Sequence, residues 1–379
     1  MTAAGLPALL LLGFTVASIG GPIALLTIFP GVAGDGADSA GLVVALSLAV
    51  FAAPLAIWLA YSRRVVGDGG LTAFVADAAG RRVALAHGWI WAFSYFLYLP
   101  FTITYVVYEL LPPVFPGMQA YRTALELLLP VAIVAVVALP LRAVLVALGL
   151  LAAAEVIALL VLAGFEYVHA GSTFVAHANV NDTGRAVGGT ALLYVCASLP
   201  LYLGGAVRGG ATTMRWVLAA GVAIVGAAFL VAAIPMSGVP DSLRDAAVPG
   251  AAIARAYSGR DLEIVVGLLT VLGTLALVVA EYLALARLFR WMHGIPLRIS
   301  YAWIAVPFIA LDAISLADPY RFYDDALKPS LGALFVSQIA VYLVFPRLRK
   351  SPVALGAVLV SSALFGWGLY TLVGGSASS

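Results

Sequence analysis

Lysine occurs twice in 379 residues, at Lys328 and Lys350, and cysteine once, at Cys196. Charged residues of either sign make up 10% of the chain, and the formal net charge is +2. So few cations give no electrostatic footprint for nucleic acid, and no such partner is expected. A single cysteine excludes an intrachain disulfide, and because Cys196 falls in an apolar run it reads as a small buried hydrophobe. The four histidines are His87, His169, His177 and His293, and no two have metal-ligand spacing, so no metal site is expected. A nucleophile beside a base and a Walker motif are both missing, and Gly204-Gly205 and Gly209-Gly210 do not follow a strand as a dinucleotide fingerprint would. The expectation is a protein that is not an enzyme and carries no cofactor. The N-terminus lacks a basic region, and its first apolar run is too long for a signal peptide.

What the chain has in abundance is apolar surface. It is 63% hydrophobic with a mean hydropathy of +1.08. No soluble domain of this length hides that much, and a membrane barrel would show short alternating segments instead of long runs. The fold class is therefore an all-α polytopic membrane protein, with the lipid bilayer as its partner. Eleven spans are expected, at 5–30, 39–61, 84–112, 123–140, 142–168, 186–207, 214–237, 262–287, 300–316, 328–346 and 352–373. With the N-terminus cytoplasmic, the close arginine pairs (Arg63 with Arg64, Arg81 with Arg82, Arg347 with Arg349) all fall on the inner side, as the positive-inside bias requires. That orientation suits a multi-pass protein of the cytoplasmic (plasma) membrane.

The spans repeat. The sixth begins about 180 residues after the first, and the next four follow their counterparts at a similar offset. Five is odd, so the second set is inverted, as in secondary transporters. Residues 1–168 form the expected first repeat and 186–346 the second, with 352–373 an extra C-terminal helix. The segments Gly69–Arg82 and Asp241–Arg260 read as short surface helices in matching places.

The first span is interrupted in its middle. Pro22 removes a backbone donor and disfavours helix just before it, and Gly20 and Gly21 remove the steric reason to stay helical. A helix broken at membrane depth exposes N–H and C=O groups that persist only where they line a cavity or bind something; a tolerated kink is the alternative. The repeat predicts a second interruption in span six, where Ser198, Pro200 and Gly204-Gly205 punctuate an apolar run. Paired interruptions in corresponding spans point to a transporter site. Ser18, Ile19, Gly20 and Gly21 on one side, and Ser198, Leu199 and Tyr202 on the other, are the candidate substrate-binding residues. Helix-start N–H groups there suit a carboxylate. Tyr95 and Tyr98 share a face of span three and join the set, since a tyrosine offers both ring and hydroxyl. Tyr105 and Tyr108 read as an aromatic belt, and His87 and Trp89 as interface residues.

These motifs carry a resemblance. Ala17–Ile23 resembles the glycine-rich first-helix motif of the amino acid–polyamine–organocation (APC) transporters. Gly69–Gly80 followed by His87-Gly88-Trp89 resembles their loop into helix three, Arg208–Trp216 their link from helix six to seven, and Leu283–Arg290 near Pro296 the end of their helix eight. The resemblance covers most of residues 10–300. It implies the five-plus-five inverted-repeat fold shared with LeuT, and uptake or exchange of amino acids, polyamines or related small organic solutes. The chain departs from the family in two places. Ser198-Leu199-Pro200 stands near where the family often has Gly-Phe-Glu, and one helix follows the repeats instead of two.

Two carboxyls lie deep in spans, Glu155 in the fifth and Glu281 in the eighth, with Asp312 nearer a span end. Intramembrane acids are functional candidates by default. In the resembled fold helices five and eight flank the break of helix one, where sodium-coupled relatives hold an ion and some proton-coupled relatives carry a lysine. A carboxyl in low dielectric favours its neutral form and can take up and release a proton; a structural carboxyl hydrogen-bonded to a neighbouring helix is the alternative. Glu155 and Glu281 are the candidate proton-coupling residues. The expected function is a secondary active transporter moving an amino acid or similar small solute by alternating access, with protons (or Na+) as coupling ion. A non-transporting membrane subunit or scaffold that kept the fold is the alternative.

Overall fold

The computed structural model describes residues 5–374. The first four residues of the expected first repeat, and the end beyond Gly374, lie outside the described residues. The helices are α1 (Ala8–Ser18), α2 (Pro22–Ala33), α3 (Ala40–Tyr61), α4 (Gly70–Ala79), α5 (Arg81–Tyr105), α6 (Leu111–Val114), α7 (Arg122–Val137) and α8 (Leu141–His169). They continue with α9 (Val180–Leu192), α10 (Gly210–Met236), α11 (Asp241–Arg244), α12 (Pro249–Tyr257), α13 (Arg260–His293), α14 (Leu297–Ser315), α15 (Pro319–Val344) and α16 (Pro352–Gly374). No β-strand forms among the described residues; one isolated bridge pairs Leu6 with Val207.

Among the described residues, ten helical stretches are long and apolar enough to cross a membrane. The first, Ala8–Tyr61, is 54 residues long, about 80 Å if straight, and so holds two spans. Its fold-back is visible in the neighbours of α9. Gly36 meets Ala186 and Gly189 meets Val32, so α2 runs antiparallel to α9. Ser47 donates to the Val187 carbonyl at 3.0 Å and the Phe51 ring lies 5.4 Å from that of Tyr194, so α3 runs parallel to it. The chain reverses at the 3-10 turn Gly34–Ser39, so the described residues hold eleven spans.

Helix α13 forms the centre of the bundle. Every residue from Ala276 to Phe289 is buried, as an element surrounded by other helices requires. Elsewhere close packing relies on small residues, because lipid supplies no hydrophobic drive between helices. Gly13 of α1 faces Gly149 of α8, where a Cβ on Gly13 would stand 2.6 Å from the Gly149 Cα.

Two expectations need correction. The short helices in matching places exist as α4 and α12, but both are half sunk in the bundle; Gly70–Val75 and Pro249–Ala251 are buried or nearly so. His87 is not an interface residue. It is 3% exposed, with Nδ1 3.0 Å from the Thr72 hydroxyl and Nε2 3.1 Å from the Ser337 carbonyl. The ring is drawn inward because both nitrogens find partners on α4 and α15. Trp89 does lie outside, 48% exposed against Phe289.

Candidate functional site

Helix α1 ends at Ser18. Gly20 and Gly21 follow with φ of 91° and 73°, and Pro22 starts α2. Those two backbone angles lie where an L side chain is strained, so the glycines are what permits the break. The Ile19–Gly21 interruption is thus present where the sequence places it.

Span six behaves differently. The expectation of a break at Ser198–Tyr202 is corrected: α9 gives way at Leu193 to 14 residues of tightly wound 3-10 helix, Leu193–Ala206. Such winding seldom exceeds a few residues. Pro200, which has no N–H to give, sits inside it. The interruption is a change of winding that starts five residues earlier than Ser198 and leaves no gap.

A cavity of ≈ 270 Å³ lies between the two irregular segments. Ile19, Gly20, Tyr98, Cys196, Leu277, Phe335 and Trp367 are among its walls. The lining is mostly apolar; its polar groups are the backbone at Gly20, the Tyr98 hydroxyl, the Cys196 thiol and the Thr371 hydroxyl. Ile28 and Thr371 are exposed at its margin, towards the face that carries residues 34–39.

The candidate residues separate into three groups. Ile19, Gly20 and Tyr98 line the cavity. Tyr95 stands behind it, fully buried, with its hydroxyl 3.9 Å from Cys196 Sγ, which is in turn 3.9 Å from Glu281 Oε1. Ser18, Gly21, Ser198, Leu199 and Tyr202 are not among the lining residues. The Ser18 and Ser198 hydroxyls donate to Thr15 and Val195 carbonyls within their own helices. Tyr202 packs flat on Gly70, with its ring 4.3 Å from that of Trp91, below the cavity.

Gly21 faces Glu155 instead. A Cβ on Gly21 would stand 2.7 Å from Glu155 Oε2, and one on Gly273 of α13 would stand 2.5 Å from Oε1. The carboxyl therefore occupies the notch between the break of the first span and α13. It is 1% exposed, and neither oxygen has a hydrogen-bond partner. Glu281 is fully buried behind Cys196, with Oε2 unpartnered.

Sequence reasoning missed Cys196 as a wall residue, because an apolar run conceals which face meets the cavity. It also gave the extra C-terminal helix no part in the site, whereas Trp367 of α16 closes one side, its ring against Gly188. Two further buried acids, Glu126 and Glu166, were within reach of the rule that intramembrane carboxyls are notable.

The N-terminal end of the bundle is sealed. Leu6 N–H donates to the Ala206 carbonyl at 2.8 Å and Arg208 N–H to that of Leu6 at 3.2 Å. Asp68 pairs with Arg287 at 3.1 Å, and Gly205 packs against the Asp68 carboxyl. At the other end Arg244 links Asp38, at 2.7 Å, with Asp241.

No protein family matches the sequence, and no curated protein does. Solved structures do match in fold. MhsT in complex with L-phenylalanine aligns with a TM-score of 0.65 at 13% identity, covering 96% of this chain and 97% of that one. The manganese transporter of Eremococcus coleocola, in complex with an aromatic bis-isothiourea substituted compound, aligns at 0.63 and 10% identity, covering 98% and 88%. The chain is an all-helical membrane protein structurally similar to LeuT-fold transporters.

Proposed function

We propose that this protein is a secondary active transporter of the APC type that carries an amino acid with an apolar side chain across the cytoplasmic membrane, driven by protons. The observation that carries this reading is the cavity at the helix break. Gly20 offers backbone groups at the edge of an apolar chamber, which suits a ligand with one polar end and one apolar end. The likeness to MhsT, a structure holding L-phenylalanine, agrees with that chemistry. A divalent metal, the other cargo among the structural neighbours, finds no carboxylate in the cavity wall.

In this reading Glu155 is the coupling group. Ionising it in its notch leaves a charge without partners, which costs several kcal/mol. The residue therefore holds a proton while the notch is dry and releases it when water enters from the cytoplasmic side. Glu281, behind Cys196, senses the cavity through the thiol. The sealed N-terminal end is the cytoplasmic one, and the domain division into 1–168, 186–346 and 352–373 supplies the two repeats that rock about the site.

The test is uptake of radiolabelled phenylalanine, leucine and alanine into proteoliposomes, with and without an inward proton gradient. Accumulation of an apolar amino acid that collapses when the gradient is dissipated supports the reading. A chain that binds these amino acids without moving them is the scaffold alternative, and one that neither binds nor moves them overturns the substrate class.

A further inference from the structure

A second chamber opens away from the central cavity. Tyr105, Tyr108, Tyr320 and Tyr323 wall a pocket of ≈ 200 Å³, with Glu109 and Asp324 also lining it and Thr104, 2% exposed, as its most buried member. The stretch Val106–Leu110, which carries Tyr108 and Glu109, is wound as a π-turn, a geometry that concentrates at functional sites.

Behind Thr104 lies a group of oxygens that nothing in the central site uses. The Thr104 hydroxyl is 2.5 Å from Glu126 Oε1, and the Ser315 hydroxyl is 2.8 Å from the same oxygen. Ser315 is also 2.7 Å from the Asp312 carbonyl. Glu126 and Asp312 are both 0% exposed, and their carboxyls lie close enough to interact electrostatically. Three of their four oxygens, Glu126 Oε2 and both of Asp312, have no partner. The nearby cation, Arg122, is engaged elsewhere: it lies 5.0 Å over the Tyr108 ring and donates to that residue's carbonyl at 3.4 Å.

We propose that Glu126, Asp312, Thr104 and Ser315 form a binding site for a small monovalent cation of the Na+ class, entered through the tyrosine-walled pocket. A carboxylate away from water needs a countercharge, which one Na+ supplies while the second carboxyl keeps its proton, and carboxylate and hydroxyl oxygens are hard ligands suited to an alkali ion. Acidic side chains and tyrosine faces draw a cation towards Thr104. Among the described residues no three His, Cys, Asp or Glu side chains are grouped to hold a metal, which favours a monovalent over a multivalent ion. The ion would tie α5, α7 and α14 together, at a place separate from the Glu155 notch.

The experiment is binding of radioactive Na+ to the full chain in nanodiscs, at constant ionic strength with N-methylglucamine as replacement. Saturable binding is expected. Glu126→Gln and Asp312→Asn should each weaken it at least tenfold, and Thr104→Val several-fold. Thr104→Val, which keeps the side-chain shape, decides the matter if the acid variants fail to fold. No saturable Na+ binding, or binding that Thr104→Val and Glu126→Gln leave unchanged, overturns the proposal. So does an infrared carboxyl band that titrates with pH and ignores Na+, since the pair would then hold a proton.

Discussion

The carboxyl of Glu155 fills the space a side chain on Gly21 would need. It is held there by shape alone: a glycine on the broken first span, a glycine on α13, and no hydrogen bond to either oxygen. A notch of this kind is tight and dry. It ties the state of the carboxyl to the packing of the two segments that carry those glycines.

Gly21→Ala should therefore damage the protein twice over. The added Cβ meets the carboxyl, and φ of 73° disfavours any L residue by about 1–3 kcal/mol. Gly273→Ala meets the same carboxyl without the backbone strain. Glu155→Gln keeps the shape and mimics the protonated state, so substrate exchange should persist while proton-driven accumulation is lost. Measuring exchange and accumulation on the same vesicles checks this; a Glu155→Gln protein that accumulates substrate with the wild-type pH dependence makes Glu155 structural.

Cys196 offers a direct probe of the cavity. Its thiol lines the chamber at 5% exposure and is the protein's single cysteine. A small thiosulfonate reagent applied from the face that carries residues 34–39 should inhibit transport, bound substrate should slow the reaction at least tenfold, and Cys196→Ala should be insensitive. Inhibition of Cys196→Ala to the same degree would remove the thiol from the site.

The Asp68–Arg287 pair should hold the N-terminal end closed. Side-chain exposures of 17% and 6% place it between surface and buried pairs, so its loss should favour opening by about 1–2 kcal/mol. In a Cys196→Ala background, Asp68→Asn should raise labelling of a cysteine placed at Ala206, which is half-buried in the seal. Asp68 also faces Arg290 at 3.9 Å, so a matching rise in labelling from Arg287→Gln would confirm the electrostatic cause.

Orientation is tested by labelling from the two sides of the membrane. Ser62 is unsuitable, because it is fully buried with its hydroxyl on the Trp58 carbonyl. Cysteines at Arg63 and Lys350, both exposed, should label only from the cytoplasm, and one at Ser242 only from outside. Labelling of Arg63 and Ser242 positions from the same side would remove the inverted arrangement.

The first interruption was legible because Gly-Gly-Pro has few conformations that keep a helix intact. The second was legible only as a region. A proline with two glycines predicts disturbance, but whether the backbone unwinds or tightens depends on what packs around it, and here Gly204 and Gly205 are pressed against Gly67 and Asp68. Span number followed from hydropathy. Cavity residues did not, because in an apolar run every side chain looks alike. Tyr98 and Tyr95 sit three positions apart on one helix, yet only the first reaches the chamber while the second backs onto Cys196. His87 was misplaced because its partners, Thr72 and Ser337, lie on other helices.

The tightly wound stretch Leu193–Ala206 has a mechanical consequence. Its 14 residues extend about 28 Å at the 3-10 rise of about 2.0 Å per residue. In α-helical winding the same residues would extend about 21 Å. Rewinding would thus draw the segment in by about 7 Å, nearly a quarter of the hydrocarbon thickness of about 30 Å, without bending at any hinge. Cys196 lies near one end of that travel and Val207, bridged to Leu6, at the other. A stroke along the helix axis, delivered by winding, would pull on the N-terminal seal and reshape the cavity wall together.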